Sequence, residues 1–447
     1  MNRLLLLLVP LSLLAQVEVD TVIRLHSRVW GGHYVPELNK LYLCADSKII
    51  VADCSAYQVK TEIPYPGDPG PGRFTWNPDR QKLYFSANSL PETLFVIDAA
   101  ADTAVAQVYC PAPWNSVYAP NVDRLYYRQG RPLRSLAVLD CATDSVVQEI
   151  PPPAEPYSFG DVSWDSLHKK VYASLVVFGY PTLLAAVDVC TDSLWLLDVP
   201  NINFAQGLVF NHARHKAYYV GSPLVAICTD GDTVIKVLSV GTPGIEFDEP
   251  VALNTRDDKL YVSGFGPVLR VIDCATDSVV KTIPYPAAWP ACIVRWVPWS
   301  NRIYCGNSAY RCDTTLWVLD CATDSFIAGL DLGEYDPFGI QLDPIRQRIF
   351  AIGADTLTVH VLRDLPDDVA EEPGRKPAAA VPLRVLPSPA RDRVWLEGAD
   401  KAVLFTPDGR RVATLTYGSN YVRHLSRGVY FVRCPERRES KRVVLVE

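Results

Sequence analysis

Residues 271–286 read VIDCATDSVVKTIPYP: an apolar run ends on Asp273, the chain passes through Cys-Ala-Thr-Asp, and a second apolar run opens on Ser278. Close copies begin at Val138 (VLDCATDSVVQEIPPP) and Val318 (VLDCATDSFIAGL). Such a motif is either chemistry used several times or the turn of a structural repeat. Its leading Asp recurs as Asp53, Asp98, Asp140, Asp188, Asp273 and Asp320. Asp and Thr side chains bond nearby backbone groups and stabilise tight turns. A catalytic constellation needs its groups within a few ångströms, whereas copies on successive repeat units are held apart. The pattern therefore reads as turn chemistry.

A basic residue followed two positions later by an aromatic sets the register of the repeat: Lys40/Tyr42, Lys82/Tyr84, Arg124/Tyr126, Lys170/Tyr172, Lys216/Tyr218, Lys259/Tyr261, Arg302/Tyr304 and Arg348/Phe350. The spacings are 42, 42, 46, 46, 43, 43 and 46 residues, the signature of a repeat architecture. Within the sixth unit VALN, KLYVSG, GPVLRVID and SVVKTI are short, β-branched or aromatic, and bounded by turn residues, so each unit reads as four strands. No window shows a sustained helical period.

One four-stranded sheet cannot cover both of its faces, and radial stacking of such sheets closes into a β-propeller. The eighth unit stops after its third strand, TLTVHVL (356–362), while VEVDTVIRL (17–25) matches the missing fourth. The expectation is an all-β propeller of eight four-stranded blades closed by an N-terminal strand, which removes an open edge. A seven-bladed ring with one degenerate unit placed elsewhere is the alternative. Units of the form basic-apolar-Tyr, then apolar-Asp-x-x-Thr-Asp-apolar, resemble the YVTN-type β-propeller repeat over residues 17–363. That resemblance implies the fold, and it leaves function open among binding proteins, surface-layer proteins and a few enzymes.

Residues 1–16, MNRLLLLLVPLSLLAQ, have the layout of a secretory signal peptide, with Arg3, an apolar run and a small residue. No later segment is long and apolar enough for a transmembrane helix. The formal net charge is −7, but from residue 382 onward 13 Lys and Arg outnumber 7 Asp and Glu, so the main body is strongly acidic. An acidic body is a poor partner for nucleic acid, whose binding rests on phosphate neutralisation.

Of the 12 cysteines, Cys54, Cys141, Cys190, Cys228, Cys274 and Cys321 fall at or beside the repeated turn. Equivalent positions on neighbouring blades lie too far apart to pair with one another. Cys44 with Cys54, and Cys305 with Cys312 or Cys321, are the nearest options for bridges in an oxidising compartment. His212 and His215 sit in NHARHK, a first-to-second turn, and read as a solvated hairpin. The sequence carries no paired CxxC, GxSxG elbow, P-loop or HExxH, and neither a cofactor nor a metal is expected.

In this strand order the DCATDS and NPDR turns share one face, and the blade-to-blade connections share the other. Those connections are longer and rich in Pro and aromatics. Tyr65, Trp114, Tyr157, Phe247, Trp289 and Tyr335 are the candidate binding residues there, since aromatics offer large contact area and Pro limits the entropy lost on binding. Packing of the same rings between blades is the competing reading. Glu246, Asp248, Glu249, Glu334 and Asp336 share this face and offer oxygen ligands for a hard cation.

Residues 364–381, DLPDDVAEEPGRKPAAAV, read as an extended linker. Beyond it RVWLEG, KAVLFT, RRVATL, GVYFVR and KRVVLV alternate as strands, with TPDGRR as a hairpin turn. A small β-sandwich spanning 382–447 is expected. PSPA, PDGRRV and LSRGVYFVR resemble motifs of the C-terminal sorting domain of the type IX (Por) secretion system, with Ser388 standing where that family usually has Asn. The resemblance implies export through the secretion machinery to the cell surface or medium; an accessory β-sandwich is the alternative. The expected function is binding of a protein, peptide or glycan partner. A propeller enzyme of lactonase or lyase type and a structural surface-layer subunit are the competing classes.

Overall fold

The computed structural model describes residues 17–65, 72–87, 93–111, 115–130, 132–177, 182–203, 205–240, 249–264, 266–287, 290–307, 316–332, 337–353, 356–364, 384–386, 393–406, 411–423, 425–433 and 440–446. Contacts divide the chain into two compact units, Met1–Asp367 and Asp368–Glu447.

The first unit is a ring of eight four-stranded antiparallel blades, each strand pairing with the next in sequence. Blades 2 to 7 begin with the inner strands Gly72–Asn77, Ser116–Ala119, Ser158–Asp165, Leu208–Asn211, Val251–Asn254 and Ala291–Val297. Blade 8 runs through Pro337–Asp343, Arg348–Gly353 and Thr356–Asp364, and its fourth strand comes from the other end of the chain. Val17 pairs with Asp364 and Arg24 with Thr358, so residues 17–24 lie antiparallel along the third strand of blade 8. The closing strand foreseen from VEVDTVIRL is present. It does not stop there: the single strand Val17–Val35 continues as the inner strand of blade 1, pairing Val35 with Lys40. Asp364, assigned from sequence to the linker, is the buried end of that third strand.

Among the described residues eight apolar clusters lie between successive blades, and the last joins blade 8 to blade 1 through Ile23, Leu25, Val29, Phe350 and Ile352. Alternate side chains of one strand serve two interfaces, as strand geometry requires. In Lys40–Ala45, Leu41 and Leu43 face blade 8 while Tyr42 and Cys44 face blade 2. Both faces are covered, so second and third strands read as near-continuous apolar runs. Fourth strands lie at the rim, and Ser145–Ile150 is exposed at every position except its last.

The second unit is one five-stranded sheet, Arg384–Leu386, Arg393–Phe405, Arg411–Tyr421, Gly428–Arg433 and Ser440–Leu445. The runs at 393–398 and 401–406, expected as two strands, are one long strand whose pairing shifts between Leu396 and Lys401. Its two halves meet different neighbours on the same edge, 384–386 first and 428–433 later, so the sheet wraps one core containing Val385, Leu396, Leu404, Leu415, Tyr430 and Val443. The small sandwich is thus a single sheet folded over. The PDGR turn lies outside the described residues.

Candidate functional site

The repeated turn is a two-part structural device. Its first Asp caps the turn: Asp140 accepts the N–H groups of Ala142 and Thr143 and the Thr143 hydroxyl, and Asp188, Asp273 and Asp320 repeat the arrangement. These contacts hold the carboxyl of Asp140 below its usual range, the Thr143 N–H contributing most. The last Asp of the motif has a left-handed backbone, with φ between 49° and 56° at Asp102, Asp144, Asp192, Asp232, Asp277 and Asp324, a region Asp tolerates better than most residues.

That second Asp reaches the preceding blade. It receives the basic residue whose recurrence set the register, at 2.6–2.9 Å in the pairs Lys40–Asp102, Lys82–Asp144, Arg124–Asp192, Lys170–Asp232, Lys216–Asp277 and Lys259–Asp324. The aromatic partner donates its phenol hydroxyl to the same carboxylate, as from Tyr42 and Tyr126 at 2.7 Å and Tyr218 at 2.8 Å. Burial first, then the adjacent acids, push these phenols well above their ordinary pKa, so they stay protonated donors. At Asp102 burial opposes ionisation, but hydrogen bonds from Lys40, Lys60 and Tyr42 outweigh it and hold the pKa down. Both halves of this latch are visible in the sequence but their pairing is not, because they lie about 60 residues apart and on different blades.

At the ring centre the inner strands enclose a cavity of about 440 Å³ lined from blades 2 to 8. Its polar residues are Arg73, Asn115, Asp161, Ser163, Gln206, Glu249 and Arg295. Arg73, Asn115, Gln206 and Glu249 stand at or just before the start of their inner strands, the end where the blade-to-blade connections enter. Leu253, Trp296 and Leu342, near the strand ends, add apolar lining toward the turn face, beside Ser163 and Arg295. Most polar groups stitch neighbouring blades: Asn115 Nδ2 donates to Asp161 at 3.2 Å, Ser163 Oγ accepts the Leu208 N–H at 3.0 Å, and Arg295 pairs with Glu249 at 2.6 Å while donating to the Ile340 carbonyl at 3.3 Å. Gly207, at φ 99°, leaves the space in which a Cβ would meet Ser163 Oγ at 2.9 Å. His33, on the strand leading into blade 1, is held neutral, because burial and the Arg295 charge lower its pKa to about 4. Among the described residues the Arg73 guanidinium has no hydrogen-bond or ion-pair partner.

The aromatic residues expected on the connection face divide. Tyr65 is buried, 5.2 Å from the Phe85 ring and 5.6 Å from Phe95, with its hydroxyl donating to the Ala45 carbonyl; it is a plug between blades 1 and 2 and not a contact surface. Tyr157 is half-buried against the core between blades 3 and 4. Trp114, Phe247, Trp289 and Tyr335 lie outside the described residues, as do Glu246, Asp248, Glu334 and Asp336. Of the acids foreseen there, Glu249 reaches the cavity.

The proposed disulfides are not formed among the described residues: Cys44, Cys54, Cys305 and Cys321 are unbridged, and Cys312 lies outside them. Cys44 and Cys54 point to opposite faces of blade 1, which separates them. Burial pushes the Cys54 and Cys321 thiols up to about 12 and those of Cys141 and Cys274 to about 11, so they are inert apolar fillers of the turn.

The histidines of NHARHK are not alone. His168 and Asp230, which no motif joins to them, come to the same place on the turn face. His168 Nε2 and His215 Nδ1 lie 2.7 and 2.8 Å from one oxygen of Asp230, and His168 Nδ1 lies 2.8 Å from the buried Asp165. His212 Nε2 contacts the other Asp165 oxygen at 3.1 Å.

No protein-family model matches this chain, and no curated protein matches it at a significant level.

Proposed function

We propose that this protein is a secreted, non-catalytic propeller of YVTN type that binds a protein, peptide or glycan carrying an acidic group at the polar mouth of its central cavity. The cavity supports this reading, in particular Arg73, which has no partner among the described residues while its neighbours are bonded to one another. A cation with no partner in an acidic body draws a carboxylate, sulfate or phosphate. The remaining lining amides and hydroxyl supply the spaced polar contacts by which a concave site fixes orientation. Nucleophilic catalysis needs a base poised beside a nucleophile, whereas the Ser163 hydroxyl is engaged with a backbone N–H and the carboxylates with Asn115 and Arg295.

Export is the second part of the reading. The apolar run after Arg3 and the motifs PSPA, PDGRRV and LSRGVYFVR support entry into the secretory route and sorting by a type IX system. Screening the full chain on glycan and acidic-peptide arrays, then repeating with Arg73→Ala, tests the binding site. Loss of the strongest signals by roughly tenfold or more is expected for one desolvated charged contact. Unchanged binding in Arg73→Ala would place the contact surface elsewhere.

A further inference from the structure

At two seams of the ring an exposed Arg at the fourth position of the first-to-second turn reaches the next blade's left-handed Asp: Arg80 to Asp123 and Arg214 to Asp258. The seam between blades 4 and 5 has different residues at both places. His168 stands where Arg80 and Arg214 stand, and His215, at φ 53°, stands where Asp123 and Asp258 stand. Two imidazoles cannot form that ion pair. A third departure brings them together: the turn of blade 5 reads CTDGD, with Asp230 where blades 2, 3, 6 and 7 have Ala100, Ala142, Ala275 and Ala322.

The protonation chemistry of this cluster is unusual. Both ring nitrogens of His168 face carboxylate oxygens, Nδ1 toward Asp165 and Nε2 toward Asp230. Ionised carboxylates only accept, and a neutral imidazole donates from one nitrogen alone. With Nδ1–H given to the fully buried Asp165, the Nε2 lone pair faces an Asp230 oxygen, a place that a proton or a metal ion can fill. A proton serves that one pair. A metal ion serves Nε2 of His168, Nδ1 of His215 and the Asp230 carboxylate together, and these three ligand atoms lie within 4.8 Å of one another. A buried acid fixing the tautomer and ring plane of a ligating His is the usual support of a protein metal site.

We propose that His168, His215 and Asp230 form a binding site for a divalent transition metal ion, Zn(II) in the first instance, which clips blade 4 to blade 5 on the turn face. Two imidazoles and a carboxylate suit Zn(II), and the half-exposed His215 and Asp230 leave the fourth position to water. Asp165 orients His168, and His212, on the far oxygen of Asp165, is not a ligand.

The ring supplies its own fold-safe variants. His215→Asn installs the residue found at the same left-handed position as Asn39 and Asn301; Asp230→Ala installs the residue of four other blades; Asp165→Asn installs the capping residue seen as Asn77, Asn211 and Asn254. The full chain, stripped with chelator and titrated calorimetrically with Zn(II), is expected to bind one equivalent, with a rise in thermal midpoint. His215→Asn and Asp230→Ala are expected to abolish this binding, and Asp165→Asn to weaken it by about 10–100-fold. Co(II) in place of Zn(II) is expected to give visible absorption without the near-ultraviolet band of a thiolate ligand. Absence of saturable binding up to millimolar Zn(II) would refute the site. So would binding of wild-type strength in His215→Asn and Asp230→Ala, or its loss on changing the exposed Cys190 to Ala.

Discussion

Six seams of the ring carry the same latch, while the seam between blades 8 and 1 lacks one half of it. Where the other blades place an Asp in the left-handed turn position, blade 1 has Tyr57, and Arg348 pairs at 2.9 Å with Asp20 of its own blade. The connection differs there: Val17–Val35 is one unbroken strand of both blades, whereas at the other seams the fourth strand of one blade and the inner strand of the next are separate strands. The seam between blades 7 and 8 is intermediate: Arg302 pairs with Asp364, both fully buried, although blade 8 has no third-to-fourth turn to supply the usual Asp. The full latch thus stands at the six seams whose later blade, 2 to 7, carries the left-handed Asp, and it changes at the two seams of blade 8.

The comparison breaks most severely if the crossing strand is removed. Deleting residues 17–25 strips Ile23 and Leu25 from the last core and opens the edge of Thr356–Asp364, and exposed edges invite intermolecular pairing. Its expected effect, measured by calorimetry with light scattering, is a larger fall in thermal midpoint than any latch substitution produces, accompanied by aggregation. Next comes the latch itself. Asp277→Ala leaves Lys216 and the Tyr218 hydroxyl without their carboxylate in a seam where the Asp277 side chain is 4% exposed. Urea unfolding is expected to show a loss of about 3–5 kcal/mol, as for one partner removed from a buried pair.

The smallest expected effect sharpens the contrast through pH. The Asp102 pKa is lowered in the folded protein, so its contribution is complete above the unfolded carboxylate value near pH 4 and drains away as pH falls through the lower folded value. Asp102→Asn should therefore flatten part of the acid limb of a stability-against-pH profile while leaving its alkaline side unchanged in shape. An unaltered acid limb would show that the latch charge is not what couples blades 1 and 2.

The number of blades and the use of residues 17–25 to finish the last one are legible in the sequence itself. Both rest on local patterns, namely Lys-x-Tyr at regular spacing, Asp-x-x-Thr-Asp turns, and a match between residues 17–25 and the segment 275–283. The candidate site was much less legible. Aromatics in the connections suit either a contact surface or packing between blades, and Tyr65 takes the second course, because a ring next to a strand end is drawn equally to an inter-blade gap. Arg73, Asn115 and Asp161 carry no motif at all. They gather only because each begins or lines an inner strand, and inner strands of distant repeats converge on one axis. The same holds for His168, His215 and Asp230, which are separated by up to about 60 residues and belong to two blades.

What this sequence determined alone is the periodic part: the strands, their turns and the number of sheets, since hydrophobic alternation and turn chemistry act over a few residues and repeat with the chain. Tertiary structure alone decided which charges meet. Asp102 finds Lys40, Arg73 finds no partner among the described residues, and two histidines share Asp230, because those distances are set by how whole blades stack around an axis.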